Sequence, residues 1–261
     1  MKKILVSAIS YVNTKKQGSE IYTTFAKRLI NDVITKTPYD VMVSTNRSDL
    51  FVDVSSLDRV SIVQNNLENH KTHVGAFNQL LKFTAIQNID SRYDWVLYLD
   101  CDAGFTEPIN PQVVDDFISA AENEGYDMLA LRTDATYDYS KKEFNETTDF
   151  TYVNHSKPLF NDKFLFYGEH PEWSGAKFPS EHILLIKNNE KLKVMSSEFE
   201  KLCFRFESQD PNKIITFDME AFEIGVSAHL AGYNMKELGW GNQNLLLKVG
   251  FNFNNWEKIK V

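Results

Sequence analysis

Asp100 and Asp102 stand one residue apart at the end of an unbroken apolar run, Trp95-Val96-Leu97-Tyr98-Leu99. Residues i and i+2 of an extended segment point the same way, so both carboxylates are expected to converge where a strand leaves its sheet. Two hard oxygen ligands suit Mn²⁺ or Mg²⁺, ions that reach proteins through one or two carboxylates plus substrate phosphates. The chemistry implied is metal-assisted handling of a nucleotide-linked substrate. Cys101, between the acids, should point the opposite way, into packing.

Charge sharpens this reading. Asp and Glu number 36 against 28 Lys and Arg, a net charge of -8. That balance argues against a nucleic-acid binder, which would carry a basic footprint. An acidic chain that holds a polyanionic nucleotide needs a local cation, and a metal at the acid pair would supply it. The two cysteines have no metal-ligand spacing and form no disulfide framework. The first apolar run is too short for a signal peptide, and no segment approaches membrane-spanning length. A cytoplasmic protein with no membrane span is expected.

The acids need a scaffold, and the pattern along the chain predicts one. Ile4 to Ile9 reads as a first buried strand, followed by a helix over 18–35 with Ile21, Phe25, Leu29 and Val33 on one stripe. Val41 to Val43 and Val60 to Val63 read as strands. A helix over about 73–88 carries Val74, Phe77, Leu81 and Ala85, and leads to the Trp95–Leu99 strand. Asn110-Pro111 supplies an N-cap and first-turn proline for a helix through about 123. Asp127 to Leu131 follows as a strand. From Arg132 to Ser180 periodicity fails, and this polar, aromatic stretch reads as a functional loop region. Ile183 to Ile186 reads as a strand, 190–205 as a helix, and Phe217 to Ala231 as a helix with Asp218 as N-cap and Gly232 as stop. Alternating strands and helices indicate a single α/β domain with a largely parallel sheet.

With these elements in place, the chain resembles glycosyltransferases of the GT-A fold, a Rossmann-like mixed sheet flanked by helices. Asp100-Cys101-Asp102-Ala103-Gly104-Phe105-Thr106 is similar to that family's DxD segment after its hydrophobic strand. Glu220-Ala221-Phe222-Glu223-Ile224, running on to Ala231-Gly232-Tyr233, resembles the Glu-Asp-x-Asp-Leu helix of inverting members. Glu181-His182-Ile183-Leu184-Leu185-Ile186-Lys187-Asn188 is like the acceptor-side strand followed by a basic residue and Asn. The resemblance spans residues 1 to about 235. It implies a nucleotide-sugar-binding half over 1–110 and an acceptor-binding half over 111–261. Two departures stand out: Ala221 occupies the position of the usual catalytic base, and no His follows His229 to join the metal. Retaining relatives have an Asp-Gln-type pair that Asp218 to Glu220 could imitate, so the resemblance leaves inversion or retention open.

The resemblance implies that a nucleotide-sugar donor is held by Ile9, Ser10 and Tyr11 after the first strand, by Lys82, and by Asp100, Cys101 and Asp102, with both acids serving the metal. An acceptor hydroxyl is a poor nucleophile at neutral pH and needs a carboxylate base. Glu220 is the first candidate, Asp218 the second and Glu181 the third, Glu181 also lying on the acceptor side. Trp173 and Trp240 are candidates to stack on sugar rings of a carbohydrate acceptor. A haloacid-dehalogenase-type phosphatase fits less well, because its Asp-x-Asp follows the first strand. A pyrophosphorylase would need a Gly-rich loop, but Ser7 to Gly18 holds one glycine. A degenerate relative that binds sugar nucleotides or carbohydrate without turnover is the alternative that Ala221 raises.

Overall fold

The structure is a computed structural model that describes residues 1–12, 20–65, 82–105, 107–130, 133–146, 167–168, 170–179, 183–207 and 221–237. Ten strands are described: β1 (Ile4–Ser10), β2 (Asp40–Thr45), β3 (Val60–Gln64), β4 (Trp95–Leu99), β5 (Met128–Ala130), β6 (Thr133–Asp138), β7 (Glu143–Glu146), β8 (Lys177–Pro179), β9 (Ile183–Lys187) and β10 (Met235–Glu237). The principal helices are α1 (Ile21–Lys36), α2 (Pro111–Asn123), α3 (Glu190–Glu207) and α4 (Ala221–Leu230).

Seven strands form one mixed sheet in the order β10-β5-β9-β4-β1-β2-β3. All neighbours run parallel except β9, which is antiparallel to both β4 and β5. A sheet covered on both faces needs strands that are apolar throughout rather than alternating. β4 meets that need, since all five of its residues are buried. Trp95, Leu97 and Leu99 face the layer of α1 and α2, with Leu29, Ile30, Val33, Val114 and Ile118. Val96 and Tyr98 face the other layer, with Phe83, Leu192, Met195, Phe199 and Ile224. The sheet takes β5, β9 and β10 from beyond residue 110, so both expected halves contribute to one core.

Most predicted elements are present. α2 begins where its signals place it, with the Asn110 side chain accepting from the Gln112 N–H and Pro111 in the first turn. α4 stops at Gly232, whose φ of +76° suits glycine, and Tyr233 N–H bonds back to the Ala228 carbonyl. α1 departs in its buried face. Ala26, Leu29, Ile30 and Val33 are buried as an apolar stripe, but Asp32 is buried beside them. Of the helix expected over 73–88, residues 82–86 are helical, 87 and 88 form a turn, and 73–81 lie outside the described residues.

The largest correction concerns 132–180, read from sequence as irregular. β6, β7 and β8 form a second, three-stranded antiparallel sheet. Its strands are short and polar on one side, so they lack the continuous apolar signature of the main sheet. The sheet is anchored through Phe222 of α4. That ring stacks between Tyr167 and Phe178 at centroid distances of 5.6 and 5.4 Å, and meets Trp173 edge-on at 5.8 Å. Gly225 permits the close approach: a methyl group there would lie 2.5 Å from the Lys177 carbonyl oxygen.

Candidate functional site

Parallel strands bring their carboxyl ends to one rim, where open α/β sheets bind ligands. β1 pairs with β4 from Ile4↔Trp95 to Ser7↔Tyr98, and with β2 up to Ser10↔Thr45. The chain just after β4 therefore emerges beside the end of β1. Asp100 and Asp102 stand there, both half-buried, but not in the extended geometry expected of them. β4 ends at Leu99, and a turn follows in which the Ala103 N–H bonds to the Asp100 carbonyl at 2.9 Å.

Asp100 belongs to the Tyr98 face. Its Oδ1 accepts from the Tyr98 hydroxyl at 3.0 Å and lies 3.6 Å from Lys82 Nζ. Lys82 is buried, with its ammonium 5.8 Å from the Tyr98 ring centroid. Lys82 thus holds a cation against one of the acids. Cys101 is buried in the opposite core cluster, as expected. Burial, then Asp102 and Asp100, push its thiol well above the usual range. Such a thiol is protonated and inert at neutral pH.

The acid loop is fastened to α1. The Phe105 N–H donates to Asp32 Oδ2 at 3.3 Å, and Asp32 pairs with Lys36 at 2.7 Å. Lys36 Nζ also donates to the Phe105 carbonyl. Gly104 passes so close that a methyl group there would sit 2.6 Å from Asp32 Oδ2. This latch explains a buried aspartate on the helix. At the first turn of α1, Tyr22 is 39% exposed. Burial, then the charges of Cys101, Asp102 and Asp100, raise its phenol above the ordinary value.

Beyond the acids, the rim is polar. Ile9 is half-buried and packs against the core, and Tyr11 is half-buried just after β1. Asn46 ties the loop after β1 to that after β2, accepting from the Val12 N–H and donating to the Val12 carbonyl, both at 3.0 Å. Buried Ser10 Oγ, Thr23 Oγ1 and Asn65 Oδ1 make no hydrogen bond among the described residues. Buried polar atoms without partners are uncommon, and unmet capacity at a rim is what a polar ligand would satisfy. Sequence reasoning named Ser10 but missed Tyr22, Asn46, Thr23 and Asn65. A polar Asp32 on an apolar helical stripe was the available signal for the latch.

Other expectations fare differently. Trp173 is a core residue, 2% exposed and packed against His170 and Phe222, rather than a surface for a sugar. Glu181, Asp218, Glu220 and Trp240 lie outside the described residues. Lys187 and Asn188, likened to acceptor-side residues, are at the opposite rim because β9 runs antiparallel. Lys187 pairs with Glu122 at 2.8 Å, and Asn188 binds the Asp90 and Tyr93 carbonyls. A polar cavity of about 580 Å³ opens at that amino-terminal rim. Its acids Glu122 and Asp115 are engaged by Lys2 and, for Glu122, by Lys187. We read it as a structural ion-pair network.

No protein-family model matches this chain, and no curated protein is similar enough to it to count as a relative. Function must therefore be argued from the rim itself. Among the described residues no three His, Cys, Asp or Glu side chains form a metal cluster. A Mg²⁺ or Mn²⁺ ion held by two carboxylates keeps several waters or takes phosphate oxygens, so the pair suffices as a donor set for an ion shared with substrate. No described helix is long and apolar enough to cross a membrane.

Proposed function

We propose that this chain is a glycosyltransferase of GT-A architecture, moving a sugar from a UDP- or GDP-sugar donor to a carbohydrate hydroxyl with Mn²⁺ or Mg²⁺. The observation that carries the reading is the Asp100–Asp102 pair at the carboxyl rim of a central strand, with the Lys82 ammonium against Asp100. Asp102 is assigned to the metal. Asp100, shared with Lys82 and Tyr98, supports the ion and orients the loop. When bound, the ion stabilises negative charge on the departing diphosphate as a Lewis acid. Lys82 adds a fixed positive charge beside the same position, in a partly buried setting where it acts more strongly than in bulk water.

The rim after β1 and β2 suits the nucleoside. Tyr11 offers a ring, and Ser10 Oγ and Asn65 Oδ1 have no hydrogen-bond partner among the described residues. The base that takes the acceptor proton is assigned to Glu220, Asp218 or Glu181, and Trp240 to the acceptor side. The experiment is release of UDP or GDP from a panel of sugar nucleotides with an oligosaccharide acceptor, with and without Mn²⁺. Metal-dependent release that disappears in Asp102→Asn supports the reading; equal release without metal contradicts it.

A second reading, binding without turnover, draws on Ala221. This residue is fully buried with Phe222 and Val226 and cannot serve as a base. Metal-dependent UDP binding with no release from any sugar nucleotide would favour it.

A further inference from the structure

We propose that Tyr22, which no motif singled out, is part of the donor site and donates its phenolic hydrogen bond to a diphosphate oxygen of the ligand held at Asp102. The inference rests on the donor-site reading above and assigns it a residue from α1.

The argument begins with the helix. Positions 22, 25, 29, 32 and 36 recur at alternating steps of three and four, so they share one stripe of α1. The lower part of that stripe demonstrably faces the acid loop. Asp32 bonds the Phe105 N–H, Lys36 bonds the Phe105 carbonyl, and Arg28, one turn before Asp32, lies 3.4 Å from where a methyl on Gly104 would stand. The loop thus runs along α1, Phe105 beside its last turns. The Ile109 N–H bonds the Lys36 carbonyl at 2.8 Å, so from Ile109 through Phe105 to Gly104 the loop climbs from the last turn of α1 towards Arg28, and Tyr22 stands further along the same helix, in its first turn. The Tyr22 ring meets Phe25 edge-on at 6.2 Å, which fixes it on this stripe. Phe25 in turn packs on the core.

The hydroxyl has the right chemistry for the role. It makes no hydrogen bond among the described residues, and its side chain remains open to solvent. A tyrosine phenol is protonated at neutral pH and donates a hydrogen bond. Where a cation engages the carboxylates, a donor beside them can serve an anionic oxygen that the same cation has brought to the site. The diphosphate of a nucleotide sugar supplies that oxygen. The sugar hydroxyls are a different partner, and the test separates them.

Tyr22→Phe keeps the ring and its contact with Phe25 while deleting the donor. Binding of UDP and of UDP-glucose, each with Mn²⁺, is measured by calorimetry for the wild type, Tyr22→Phe and Asp102→Asn. Unliganded melting temperatures serve as a check on folding. Loss of one hydrogen bond to a charged oxygen should weaken both ligands about fivefold to tenfold in Tyr22→Phe, with the unliganded melting temperature unchanged. Wild-type affinity for both ligands in Tyr22→Phe overturns the proposal, as does weakening confined to UDP-glucose, which would assign the hydroxyl to the sugar. If Asp102→Asn loses binding while Tyr22→Phe does not, this inference fails and the donor-site reading stands. If the wild type binds neither of these ligands nor GDP with Mn²⁺, both fail.

Discussion

Lys82 Nζ lies 3.6 Å from Asp100 Oδ1, the same oxygen that accepts from the Tyr98 hydroxyl at 3.0 Å. Asp100 is therefore held by both a protein cation and a phenol, and the proposed function assigns the metal to Asp102. Removing the ammonium with Lys82→Met should weaken UDP binding in the presence of Mn²⁺ by about tenfold, the effect of one charge-assisted contact. Affinity for Mn²⁺ alone should not fall, because the like charge beside Asp100 is gone. A drop in affinity for Mn²⁺ alone would show that Lys82 organises the acids rather than the ligand.

The latch between α1 and the acid loop is expected to set the loop's position. Asp32→Ala removes the acceptor of the Phe105 N–H and the carboxylate that pairs with Lys36. A stability loss of about 1–3 kcal/mol follows from removing a hydrogen bond to a charged group in a part-buried setting, readable by urea unfolding. Mn²⁺ affinity should fall with it, though residue 32 is no metal ligand. Stability loss with unchanged Mn²⁺ affinity would confine the latch to folding.

Gly225→Ala should be destabilising without touching the rim. Its methyl group would stand 2.5 Å from the Lys177 carbonyl oxygen and 2.7 Å from the Phe178 ring. Backbone cannot yield cheaply, so a cost of about 1–3 kcal/mol is expected from overpacking. Thermal unfolding measures it; an unchanged melting temperature would mean that β8 and α4 are more loosely joined.

Glu122 should shape the acid limb of stability. Burial works to raise its carboxyl, but hydrogen bonds from Lys187 and Lys2 outweigh this and hold it below the usual range. Its pKa is lower folded than unfolded, so the unfolded chain binds the proton first as pH falls. The contribution is complete above the ordinary glutamate value of about 4.3 and is lost as pH drops through the lower folded value. Glu122→Gln should flatten the decline in stability over that acid range, with little effect on its slope above it. An unaltered acid limb in urea titrations would contradict the assignment.

How far the sequence reveals the molecule depends on which force wrote the signal. β4 and the start of α2 were legible because continuous burial and capping leave local marks at Trp95–Leu99 and Asn110-Pro111. The second sheet was not, since its identity depends on Phe222 receiving Tyr167 and Phe178 from distant segments. The acids were found by spacing, yet their geometry is set by a turn after Leu99 and by Asp32, some seventy residues earlier. Trp173 misled because an indole in a polar stretch reads as exposed, whereas here it closes a core. Tyr22 and Asn46 carry no motif and become visible only when the strand ends stand side by side.

The central claim is that a divalent ion held by the rim aspartates fastens a nucleoside diphosphate. Calorimetric titration of UDP into the wild type, with Mn²⁺ and then with excess EDTA, tests it most directly, alongside Asp102→Asn under both conditions. The account predicts binding only for the wild type with Mn²⁺. Equal UDP affinity with and without the ion, or full affinity in Asp102→Asn, would contradict it.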